Sequence, residues 1–237
     1  MLALLSFYLP ATTLAQNNTV SPIAVRGAAH ARTATKLYIL GGKDKLSAYP
    51  QFFSLDLAVP WQGSQAAWGK LPDGIAQDIF PMAASMDEKE LVVFHAGQGS
   101  SSLLTARLFN LVTQQWSTSQ FSAQYAAFQG NGAVTDPSTG LVYIAGSYTD
   151  ASRGSLNIYT FESDSMKTLT IPPDQLINRG YYTNAWSKRL SSALYFGGYN
   201  ASLQPVLGPD ANVVTRYSPS TGQWSRLVCL IQLSFAI

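Results

Sequence analysis

Four times along this chain an apolar stretch closes on a pair of small residues ending in glycine. The stretches are KLYILGG (36–42), LVVFHAG (91–97), LVYIAG (141–146) and ALYFGG (193–198). Their last glycines fall at 42, 97, 146 and 198, a recurrence of about fifty residues. A recurrence of that length marks a supersecondary unit used repeatedly. One such unit cannot bury its own apolar faces, so the units must stack on one another.

Each unit carries its signals in the same order. β-branched and aromatic residues such as Tyr38 and Ile39 predict a strand. The pair that ends it is Gly41-Gly42, Ala96-Gly97, Ala145-Gly146 or Gly197-Gly198. Little or no Cβ bulk there permits positive φ or a close backbone approach, as expected where strands crowd around a common axis. A turn-rich loop follows, then a second strand ending in an aromatic: Phe53, Phe109, Tyr159 or Tyr217. In three units a bulky residue stands seven positions further on, pairing Phe109 with Trp116, Tyr159 with Met166 and Tyr217 with Trp224. The segment between is a turn, clearest in Ser218-Pro219-Ser220-Thr221-Gly222. In the first unit Ala58–Ala67 reads as an insertion. Trp68 is then the equivalent tryptophan, because Gly69-Lys70-Leu71 continues like Ser225-Arg226-Leu227.

The diglycine after an aliphatic-aromatic strand, followed by Tyr and then Trp, resembles the kelch repeat. The resemblance covers Val20 to about Leu227, and the overall pattern is similar to the exported kelch proteins of fungi. It implies an all-β fold, a kelch-type β-propeller of antiparallel four-stranded blades. The blades fall at about 20–78, 79–127, 128–178 and 179–227. An all-β sandwich is the competing architecture. Gly41, Gly42, Gly97, Gly146, Gly197, Gly198, Trp68, Trp116 and Trp224 are the structural residues of the repeat. Four units are fewer than the six or seven usual in that family, so an incomplete propeller is expected, with 228–237 as an anomalous apolar tail.

The amino terminus reads as an export signal. Met1–Leu9 is almost entirely apolar, Pro10 interrupts it, and Thr13-Leu14-Ala15 offers small residues for cleavage after Ala15. Residues 1–15 are therefore expected to be a signal peptide, giving a secreted or extracellular protein. Two N-glycosylation triplets agree with export, Asn17-Asn18-Thr19 and Asn200-Ala201-Ser202. Glycans would help solubilise a surface poor in charge, since charged residues are 12% of the chain, about half the usual share. One cysteine, Cys229, excludes an intrachain disulfide framework. No stretch reaches the roughly 20 apolar residues of a membrane span. A net charge of +2 with no basic stripe argues against nucleic acid as a partner.

Loops on a rigid scaffold carry function more often than cores do. In an up-and-down blade, the loops after the glycine pairs share one face: 43–50, 98–102, 147–154 and 199–212. Lys43, Asp44, Tyr148, Asp150, Arg153 and Tyr199 are the candidate binding residues there, because Tyr and Arg dominate binding hot spots and Tyr stacks on sugar rings. The partner is expected to be a protein or a glycan. The competing readings are a fragment without independent function and a galactose-oxidase-like enzyme. The resemblance implies for the latter a copper site of two His and two Tyr, one linked to Cys. Against it, His30 precedes the first repeat strand, His95 lies within an apolar run and Cys229 lies in the tail. No nucleophile elbow G-x-S-x-G and no zinc spacing occur. No catalytic residue, metal or cofactor is therefore assigned, and the binding reading leads.

Overall fold

The computed structural model describes residues 21–61, 66–75, 81–96, 103–124, 132–145, 155–171, 183–197 and 213–228. These form four antiparallel four-stranded sheets arranged as a four-bladed β-propeller, and no described residue is helical. Sheet one is β1 (Ala29–Arg32), β2 (Lys36–Leu40), β3 (Phe52–Asp56) and β4 (Trp68–Lys70). Sheet two is β5 (Met82–Ala84), β6 (Glu90–Ala96), β7 (Leu103–Asn110) and β8 (Gln115–Gln124). Sheet three is β9 (Val134–Thr135), β10 (Leu141–Ala145), β11 (Ser155–Thr160) and β12 (Ser165–Thr170). Sheet four is β13 (Thr183–Ser187), β14 (Ser192–Phe196), β15 (Val213–Ser218) and β16 (Gln223–Val228). Strand order within every sheet follows the chain. The first strands lie innermost: β1 lies against β5, β5 against β9, and β9 against β13.

The sheets stand together because most of them are apolar on both faces. Tyr38, Leu40 and Phe52 of sheet one meet Leu91, Val93 and Phe109 of sheet two. Val92 and Phe94 on the other face of sheet two meet Val142, Ile144 and Tyr159 of sheet three. Tyr143 and Leu156 on the far side of sheet three meet Ala193, Tyr195 and Tyr217 of sheet four. Aromatic edges key these seams, with Phe52 and Phe109 T-shaped at 4.8 Å and Phe94 and Tyr159 at 5.1 Å. Among the described residues no fourth apolar cluster joins sheet four to sheet one.

The pairing registers show what the repeated aromatics do. Phe109 faces Trp116, Tyr159 faces Met166 and Tyr217 faces Trp224 across the third and fourth strands. In sheet one Trp68 faces Leu55, so Leu55 and not Phe53 occupies the aromatic position of that unit. Phe53 sits two pairs along, opposite Ile39 and Lys70. The turns before the fourth strands put Gln114, Asp164 and Gly222 in the left-handed region, each two residues before Trp116, Met166 or Trp224. Only one of these is a glycine. Asp164 instead ties sheets two and three, accepting from Ser119 Oγ at 2.5 Å, from the Gln120 amide at 2.6 Å and from Tyr159 at 2.8 Å.

The glycine pair is placed differently from the axial position its small size suggests. Gly41 and Gly42 follow β2, the second strand from the axis, and it is alanines such as Ala31, Ala83 and Ala84 that occupy the innermost strands. Gly42 has φ +87°, and a Cβ there would stand 2.5 Å from Val25 Cγ2, in the segment leading into β1. Gly197 has φ +70° with open space around it. Gly42→Ala therefore incurs backbone strain and a clash, whereas Gly197→Ala incurs strain alone, about 1–2 kcal/mol. Urea unfolding of the two variants should rank Gly42→Ala as clearly the more destabilised; equal losses would contradict this account.

Candidate site: the axial cavity

A cavity of about 490 Å³ lies where the four innermost strands converge. Its wall is built from the same place in every unit. Sheet one contributes His30, Ala31 and Arg32, sheet two Ala83 and Ala84, sheet three Val134 and Thr135, and sheet four Asn184, Ala185 and Trp186. The turns that join first to second strands form its mouth, through Ala34, Met86, Glu88, Pro137 and Lys188. Short side chains at the innermost positions keep the strands from filling the axis, and its volume falls in the range of small-molecule sites.

Hydrogen bonds fix that mouth. Glu88 Oε1 accepts the Ala34 amide at 2.6 Å, joining the turns of sheets one and two. Thr135 Oγ1 donates to the Ala84 carbonyl at 2.5 Å, joining sheets two and three. Ser85 Oγ accepts the amides of Lys89 and Glu90 and donates to Asp87, whose carboxyl is held below its usual range chiefly by that bond. Asp136 is buried and takes the hydroxyls of Ser138 and Thr139, closing the next turn. Trp186 stacks on Tyr143 with 6.0 Å between ring centroids. Burial and then the nearby Asp136 charge push the Tyr143 phenol up to about 12. The Asn184 amide beside it carries a buried Nδ2 with no acceptor among the described residues.

His30 does precede the first glycine-ended strand, β2, but it belongs to a strand of its own, β1, that lies on the cavity wall. It remains open to solvent through the cavity, yet the surrounding wall strips part of its hydration and lowers its pKa from the ordinary 6.5. His95 lies in β6 on another sheet, where both ring nitrogens are 3.2 Å from Thr105 Oγ1. Among the described residues no three His, Cys, Asp or Glu side chains gather as a metal site.

The loop residues singled out in sequence fall elsewhere. Lys43 and Asp44 belong to the β2–β3 loop, at the opposite end of the sheets from the cavity mouth. Asp44 accepts from Tyr49 Oη at 2.6 Å and from the amides of Leu46 and Ser47, so its carboxylate organises its own loop. These bonds, the Tyr49 bond first, lower its pKa. Lys43 pairs through its backbone with Arg26 and Ala48. Tyr148, Asp150, Arg153 and Tyr199 lie outside the described residues, as do Gly97, Gly146, Gly198, residues 1–15, Asn17, Asn200 and the tail from Cys229. Val228, read in sequence as the start of that tail, closes β16. Among the described residues no helix is long and apolar enough to cross a membrane.

The cavity end also carries much of the exposed apolar surface. Leu57, Val59 and Trp61 project from the β3–β4 connection, Met86 from the β5–β6 turn and Val112 from the β7–β8 turn, all at the cavity-mouth end of their sheets. No protein-family model matches the chain, and no curated protein matches it.

Because the folded state lowers the His30 pKa, the unfolded chain binds more protons just below pH 6.5, and stability falls as the pH drops through that window. His30→Gln should remove this component. Urea midpoints measured from pH 7.5 down to 5 should fall less steeply for the variant than for the parent. Parallel curves would rule out His30 as the titrating group.

Proposed function

We propose that this chain is an exported, kelch-type propeller that binds a glycan, with the cavity face as its ligand-bearing side. The observation that carries this reading is a small-molecule-sized cavity walled by all four sheets, with exposed Trp61, Leu57 and Val59 on the same end. Indole faces suit sugar rings, which present apolar C–H patches between their hydroxyls. A rigid frame with variable loops around one opening is the usual way a scaffold carries recognition. The leader-like residues 1–15 and the triplets at Asn17 and Asn200 support an extracellular setting.

A protein ligand is the second reading, favoured by the exposed apolar side chains Leu57, Val59, Trp61, Met86 and Val112. The enzyme alternative, a galactose-oxidase-like copper site, does not fit the residues described. His30 lies in β1 of sheet one, and His95 lies in β6 of sheet two with its ring on Thr105. Fold alone assigns no chemistry.

Glycan-array capture of the purified chain tests the reading. Trp61→Ala should weaken capture by about tenfold, the scale of one lost aromatic anchor, while Leu46→Ala on the opposite face should leave it unchanged. Capture insensitive to Trp61 but lost in a Lys43→Ala, Asp44→Ala double variant would move the site to the other face.

A further inference from the structure

The cavity holds cationic groups that no described carboxylate neutralises. Arg32 from β1 and Lys188 from the β13–β14 turn both line it, and neither forms an ion pair among the described residues. The acid in the wall, Glu88, directs Oε1 to the Ala34 amide. The two cations come from the first and last sheets, and between those sheets no apolar cluster forms among the described residues. The space is therefore a concave site with positive charge on two sides, which draws an anionic ligand toward it.

We propose that the axial cavity takes an acidic sugar, a small hydroxylated carboxylate whose anion is held between Arg32 and Lys188. The planar guanidinium suits a carboxylate, while Lys188 acts as a mobile point charge from the facing turn. The Trp186 indole supplies an apolar side. A ligand seated there bridges sheets one and four, so binding closes the seam that packing leaves weakest. This deepens the glycan reading above and rests on it.

The test is calorimetry on the full chain with D-glucuronate, D-glucose and inorganic phosphate, alongside thermal melts. Glucuronate should bind at least tenfold more tightly than glucose or phosphate and should raise the melting temperature. Arg32→Met and Lys188→Met should each weaken glucuronate by about tenfold, the scale of one lost charged hydrogen bond. Both side chains are exposed, so unliganded melts of the variants should match the parent and separate lost binding from lost folding. Equal binding of glucose and glucuronate, equal binding of phosphate, no glucuronate binding, or full binding by the double variant would each overturn the proposal. Neutral glycans still captured on the array while glucuronate fails would remove this inference alone. Loss of all glycan capture would remove the glycan reading with it.

Discussion

Burial of both faces of a sheet is the constraint on which this molecule depends. A lone four-stranded sheet bearing Val92 and Phe94 on one side and Leu91, Val93 and Phe109 on the other cannot persist in water. Each sheet needs a neighbour on either side, and so does that neighbour. Stacking in a line leaves two bare faces, whereas bending the stack around an axis brings the first and last sheets together. The propeller is the geometric answer to that requirement.

The axial cavity is a by-product of the same requirement. Sheets wedge around an axis only when their inner edges are slim, and β1, β5 and β13 carry alanines there. Slim edges leave a hollow, and the turns beside it are stiffened by Glu88, Thr135, Ser85 and Asp136. Recognition needs no extra domain, because the packing rule that builds the ring also builds a rigid pocket at its centre. The chemistry of that pocket is then set by a few longer side chains at its wall, Arg32, His30, Trp186 and Lys188.

The parts of the fold that were legible in sequence are those where apolar bulk repeats. The second strands announce themselves by runs such as LVVF, and Trp116 and Trp224 mark the fourth. The innermost strands were silent, since AHAR and the two-residue β9 look like loop, and that silence hid His30 and Arg32. Left-handed turn positions were visible at Gly222 and invisible at Gln114 and Asp164, where side-chain or backbone bonds replace the glycine. Leu55 took the place expected of Phe53, since it is Leu55 that pairs with Trp68, a register that only pairing reveals. The cavity could not be read at all. Its residues come from four units, and no local spacing records that they converge.

Closure of the ring is the claim that everything else needs, and spin-label distances test it directly. With Cys229 replaced by Ser, labels at Thr35 and Arg189 report on the turns of sheets one and four, and labels at Asp87 and Arg189 report on sheets two and four. Sheets pack about 10 Å apart. In a ring, sheets one and four are neighbours, and the first pair should lie closer together than the second. In an open stack sheet one is the farthest from sheet four, so the first pair would lie about 30 Å apart and be the longer of the two, which would contradict the account.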